Sequence, residues 1–255
     1  MNSLVKKQVY IPSVLVKDLP ADEVIKIITV SQVGHVVQKN GVDFELEKQF
    51  VDGVKLNSLN YFSDPLKAIL GSTLINQLHI KFKESVQKKE TIEKVKVWVS
   101  NIRGASRIQD SIYLIVDELF TNAIYNALPF FVGLRDSLDR KEKVDLTDRK
   151  ACEIFVGHNE HRLILGCSDS FGSLNLEKLS NQLLNTYAKG IAGSIKYGKN
   201  GAGIGCRLMF DNCINFYLGV RENEQTIVAL GLPIGPNARA IDINFKNIHF
   251  IINKE

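Results

Sequence analysis

The apolar positions of this chain change spacing along its length, and each change marks an element. Val9, Ile11, Val14 and Val16 predict a strand over residues 9–17, interrupted by Pro12. Pro20 opens a helix over residues 21–30 that places Val24, Ile27 and Ile28 on one face. Residues 31–62 mix short apolar groups with Gly34, Gly41 and Gly53, and no single period emerges. Asp64 then caps another helix, with Pro65 in its first turn, running towards Leu78.

From residue 79 the periods sharpen. Residues 79–82 read as a strand and 84–99 as a helix with Val86, Ile92, Val95 and Val99 as its apolar members. Residues 110–128 form the strongest helical pattern, stopped by Pro129. Residues 135–150 alternate in charge without an apolar period, which predicts a solvated loop or short exposed helix. Strands at 153–156 and 163–167 flank the polar turn 157–160 and predict a hairpin, followed by a helix over 176–187. A Gly- and Lys-rich stretch, 189–205, runs into a helix over 204–212. Four strands close the chain, at 214–220, 226–232, 241–245 and 248–252, the last two joined by Lys246 and Asn247. Helices mixed with consecutive strands predict an α+β fold, one sheet covered by helices.

Composition narrows the class. At 255 residues the chain can form one large domain or two small ones. Hydrophobic residues make up 45% and charged residues 24%, as in a soluble globular protein. The 32 Lys and Arg against 28 Asp and Glu are scattered, so no basic stripe marks a nucleic-acid surface. No apolar run nears the roughly 18 residues of a membrane helix, and Lys6 and Lys7 precede no apolar leader segment. Cys152, Cys167, Cys206 and Cys213 show no metal or redox spacing, as expected of reduced thiols in a cytoplasmic protein.

Three segments carry chemistry. In the first, Asp117 to Ala127, helical spacing puts Glu118, Asn122 and Asn126 on one side and Ile112, Leu119, Ala123 and Ala127 on the other. Such a polar row also fits a solvated face. In the second, the apolar run Leu163 to Cys167 leads into Asp169 and Gly172; the carboxylate either caps a turn or accepts from a ligand amine. In the third, Gly201, Gly203 and Gly205 alternate into a helix N-terminus, a phosphate cradle or a flexible loop. Its late position excludes a Rossmann turn, and no Gly-Lys-Ser/Thr follows to make a P-loop.

In this order, E-x-x-x-N-A on a helix, D-x-x-G after a strand and G-x-G-x-G before a helix resemble the N box and glycine boxes of the GHKL ATPases (gyrase, heat-shock chaperone, histidine kinase and mismatch-repair types). The resemblance covers residues 79–235, and the layout is most similar to anti-sigma-factor serine kinases. It implies a Bergerat-type α/β sandwich over residues 76–255, with residues 1–75 a small N-terminal domain or extension. It also implies ATP and magnesium as cofactors. Glu118 would be the general base and Asn122 the magnesium ligand, with Asn126 beside it. Asp169 and Gly172 would meet the adenine. Lys196, Lys199, Gly201, Gly203, Ile204 and Gly205 would surround the phosphates, and residues 173–200 would form a lid. The first glycine box departs from the usual D-x-G-x-G, since Phe171 and Ser173 hold the glycine positions. The implied function is a magnesium-dependent protein serine/threonine kinase or slow ATPase acting on a regulatory partner protein, with a non-catalytic nucleotide-gated switch as the alternative. A homodimer is compatible with the layout; no nucleic-acid or membrane partner is expected. His35 and His79 sit in no phospho-accepting helix, so a self-contained sensor histidine kinase is excluded.

Overall fold

A computed structural model of the chain describes residues 11–31, 33–41, 43–127, 142–146, 151–194, 204–235, 238 and 245–253. Its frame is one eight-stranded mixed sheet. In chain order the strands are β1 (Ile11–Val16), β2 (Val33–Val37), β3 (Asn76–Phe82), β4 (Cys152–His158), β5 (Arg162–Asp169), β6 (Asn215–Arg221), β7 (Gln225–Pro233) and β8 (Asn247–Asn253). They lie side by side as β1-β2-β8-β6-β7-β5-β4-β3. The β1–β2 and β8–β6 pairs are parallel, and the rest are antiparallel.

Both faces of this sheet are covered. Side chains alternate along a strand, so β4 sends Ile154 and Val156 to one face and Phe155 to the other, all fully buried. The near face carries α1 (Ala21–Ser31), α5 (Lys88–Ser100), α6 (Gln109–Thr121), α7 (Leu176–Ser194) and α8 (Ile204–Asp211) over the larger core. Val24 and Ile28 of α1, and Ile92, Val95 and Val99 of α5, point into it as their spacing predicts. Val86 does not; it is 61% exposed, because the chain makes a short turn at Ser85–Gln87 before α5 begins at Lys88.

The far face is covered by α2 (Phe44–Leu56), α3 (Leu59–Ser63) and α4 (Pro65–Leu70), with a second core around Phe50, Tyr61, Leu66, Phe155, Tyr217 and Ile251. The α2 and α3 helices of this layer come from the region without a clear period in the sequence. The α4 helix is capped by Asp64, whose carboxylate accepts from the Lys67 amide, but it stops at Leu70 rather than continuing towards Leu78. The sheet shows no break at residue 75, since β2 joins β8 directly. Gln38 strengthens that joint: its side-chain amide donates to the Leu19 and Lys246 carbonyls, and its backbone amide donates to Asn247. Residues 241–244 of one predicted strand lie outside the described residues, and β8 pairs with β2 and β6 instead of closing a hairpin.

A charged cluster lies buried between α2 and the sheet. Glu47 accepts from Arg162 and from the Tyr217 hydroxyl at 2.8 Å, and its other oxygen stands 2.8 Å from His249 Nε2. Glu47, Arg162, Tyr217 and His249 are all 0% exposed. Burial alone would raise the Glu47 carboxyl, but the Arg162 guanidinium and then His249 outweigh it and hold the carboxyl at about 2. His35 Nδ1 faces His249 Nδ1 at 3.2 Å, so one ring must accept. Burial first, then His249 and Lys55, push His35 down to about 3.

Acid should therefore unfold this chain early. His35 titrates near 6.5 when unfolded and is kept neutral when folded, so its contribution is complete above pH 6.5 and lost as the pH falls towards 3. Full protonation of that site would remove up to about 4–5 kcal/mol. Trp98 fluorescence followed from pH 8 to pH 3 should show stability declining from about pH 6.5. His35→Gln should delay the decline to the range where Glu47 titrates; an unchanged acid profile would contradict this assignment.

Candidate functional site

The α6 helix buries Ile112, Ile115, Val116, Leu119 and Phe120 on the near face and leaves Glu118 half-buried on its other side. At Asn122 the helix widens, and Asn122–Ala127 is π-helical. Such widened turns recur at functional sites, where they re-aim side chains. Asn126 donates its side-chain amide to Asn122 Oδ1 at 2.6 Å, so the two half-buried carboxamides form one polar unit. Ala123 and Ala127 are buried beneath them. The start of α5 braces the same helix, with Lys88 Nζ 2.6 Å from Asp117 and 3.0 Å from the Thr121 hydroxyl.

Asp169 ends β5, opposite Thr226 of β7. Its carboxylate accepts from the Phe171 amide at 2.9 Å, which is the turn-capping geometry. Burial pushes it up to about 6, against hydrogen bonds from the Phe171, Gly172 and Thr226 amides. Gly172 follows with φ +58°, and its carbonyl accepts from Asn223 at 3.3 Å. A Cβ there would overlap the Arg221 carbonyl, so the β6–β7 turn requires a glycine at this position. Phe171, in a position where the resemblance implies glycine, is wholly buried in the near core. Ser173 donates its hydroxyl to the Ala127 carbonyl at 3.1 Å, tying this turn to the end of the π-helical segment.

The third segment is described only from Ile204 on. Lys196, Lys199, Gly201 and Gly203 lie outside the described residues, as do residues 195–200 at the end of the implied lid; residues 173–194 of that segment are described, and most of them form α7. Ile204 is the first residue of α8 and Gly205 the second. The Glu118 carboxyl group lies directly against Gly205, where a methyl would overlap its carbon and both oxygens. Burial, then this carboxylate, pushes the neighbouring Cys206 thiol up. Glu118 therefore sits at the first turn of α8, where the helix dipole favours negative charge.

The structure thus brings together Glu118, Asn122, Asn126 and Gly205, and joins the Asp169–Gly172 turn to them through Ser173 and Ala127. Ser173, Lys88 and Thr121 are additions that spacing did not reveal, since their roles depend on long-range approach. So is the contact between α7 and α8: the Arg207 guanidinium lies 3.3 Å from the Tyr187 ring centroid, and both side chains bind Asp211, at 2.6 and 2.8 Å. Among the described residues no group of three or more His, Cys, Asp or Glu could hold a metal. The oxygen-bearing side chains of this cluster are Asn122, whose Oδ1 already accepts from Asn126, and Glu118. No helix among the described residues is long and apolar enough to cross a membrane.

Comparison with known proteins adds no assignment: the chain matches no protein-family model and no curated protein at a significant level.

The environment of Asp169 makes a direct prediction. Its carboxyl is raised from 3.8 to about 6, so its contribution is full below pH 3.8 and lost as the pH rises through 6. That loss is about 3 kcal/mol. Relative to wild type, Asp169→Asn should gain stability as the pH rises from 4 to 7 in denaturant titrations. A constant difference between the two proteins would show that Asp169 is not held in this state.

Proposed function

We propose that the chain is an ATP-binding regulatory protein of the GHKL type, with a Bergerat-type α/β sandwich at its centre. In this reading it is a cytoplasmic, magnesium-dependent serine/threonine kinase or slow ATPase that acts on a partner protein. The observation that carries the reading is the contact of Glu118 with Gly205. Two segments far apart in sequence, resembling an N box and a glycine box, meet at the first turn of one helix. An isolated solvated polar row or a stray glycine run gives no reason for that meeting.

Each residue then has a task suited to its chemistry. The amides of Ile204 and Gly205 at the start of α8 would face phosphate oxygens, and the resemblance adds Gly201, Gly203, Lys196 and Lys199 to the phosphate site. Asn122 Oδ1, steadied by Asn126, would hold magnesium, which offsets phosphate charge when bound. Glu118 would take a proton from water or from a partner's hydroxyl. Asp169 would accept from the adenine amino group, with Gly172 shaping its turn. Ionised at neutral pH at some cost, Asp169 gains from a further N–H donor.

A second reading, a nucleotide-gated switch, draws on the Tyr187–Arg207–Asp211 contact. It fastens α7 to α8, so a shift of α8 on phosphate binding would be transmitted to α7 and to a partner bound there. Turnover separates the two readings.

Asn122→Ala should stay folded and lose magnesium-dependent ATP affinity in calorimetry. Equal binding by both proteins would remove the N-box assignment. Glu118→Gln should bind ATP within a few-fold of wild type while turnover falls by about 10²–10⁴-fold. If wild type turns nothing over with any partner and Glu118→Gln binds partners identically, the switch is the better description.

A further inference from the structure

Gly205 has a second explanation besides closeness to phosphate. It is the second residue of α8, and its φ lies outside the left-handed region, so the backbone there does not call for glycine. A glycine within a helix weakens it relative to alanine. The three atoms that an added methyl would meet first are the Glu118 carboxyl carbon and its two oxygens; none belongs to the backbone. What the missing methyl provides is room for one carboxylate.

We infer that Gly205 is a positioning residue: its bare Cα is the slot that seats the Glu118 carboxylate at the first turn of α8. This rests on the reading of Glu118 as general base and adds a constraint to it. The carboxylate is placed from both sides. The α6 backbone and the buried row Ile115, Leu119 and Phe120 fix where its stem begins, and Gly205 fixes where its head ends. The Glu118 charge is felt at Cys206, the next residue of α8, in keeping with that seat.

The slot is bounded by the end of a flexible side chain rather than by backbone. A methyl at Gly205 should therefore expel the carboxylate instead of unfolding the helix, and the consequences can be read in two independent ways. The first needs no nucleotide. In a Glu118→Ala background, Gly205→Ala should raise Tm by roughly 1–4 °C, the ordinary gain of alanine over glycine in a helix. In the Glu118 background that gain should vanish or reverse. An identical Tm change in both backgrounds overturns the slot.

The second readout is kinetic. Gly205→Ala should keep ATP affinity within a few-fold and lose turnover to about the extent of Glu118→Gln, and the double variant should be no worse than either. Glu118→Asp, one methylene shorter, should restore part of the turnover in the Gly205→Ala protein but lower it where Gly205 is intact. If Gly205→Ala instead weakens ATP binding equally in the wild-type and Glu118→Gln backgrounds, the added methyl obstructs phosphate rather than the carboxylate and the inference fails. Should wild type bind no ATP at all, the functional reading falls, while the Tm comparison still decides whether the slot exists.

Discussion

Burial of Glu47 against Arg162 is the interaction on which the three-layer arrangement depends. An eight-stranded sheet with apolar residues on both faces must be covered twice, and among the described residues the helices of 44–70 cover the far face. The α2 helix brings a carboxylate to the middle of that face, and β5 brings a guanidinium to meet it; both are 0% exposed. Such a pair adds little to stability compared with apolar residues of the same size, yet either partner alone would be a stranded buried charge. It therefore acts as a register pin. Tyr217 and His249, from β6 and β8, complete the cluster, so α2 can seat only where β8, β6, β7 and β5 already lie side by side. Phe50 packs beside them, its ring 5.0 Å from Tyr217 and 5.1 Å from His249.

That same pin explains what was and was not legible in the sequence. Near-face helices and the strands from β4 to β7 could be read directly, because the helices repeat apolar residues at a period near 3.6 and the strands are short, nearly continuous apolar runs between polar turns. The α2 helix could not. Phe44, Phe50, Val51 and Val54 have helical spacing, but Glu47 stands on the buried side and reads as a polar break. Its partner Arg162 sits at the start of β5, far away in the sequence, so no local rule could show that the charge was compensated. β2 was missed for a related reason: the short run Val33–Val37 contains His35, buried at 1% exposure because its neighbour across the sheet is another histidine. β8 was recognised as a strand, but its partners were not, since parallel pairing with β6 leaves no turn signature.

The candidate site shows the opposite balance. Its residues were legible because their order is distinctive, whereas their geometry was not. Helical spacing put Glu118, Asn122 and Asn126 on one face; it did not show the π-helical widening at Asn122, or that the two carboxamides bond to each other there. For Gly172 and Asp169 the ordinary structural explanation is also present, a tight turn seated on the β6–β7 connection. Gly205 differs, because what crowds it is the carboxylate of another segment. The near-face core makes this meeting possible: α6 and α8 pack together over the sheet, with Ser111 of one hydrogen-bonded to Asn212 just beyond the other at 2.7 Å.

The central claim is that the space between the Asn122 unit, the Asp169 turn and the first turn of α8 receives magnesium and ATP. A crystal structure grown with magnesium and a non-hydrolysable ATP analogue tests it most directly. The account predicts triphosphate density at the α8 N-terminus, a cation touching Asn122 Oδ1, and the adenine amino group at Asp169. Nucleotide bound elsewhere, or none bound at saturating concentration while this site stays as it is without ligand, would contradict it.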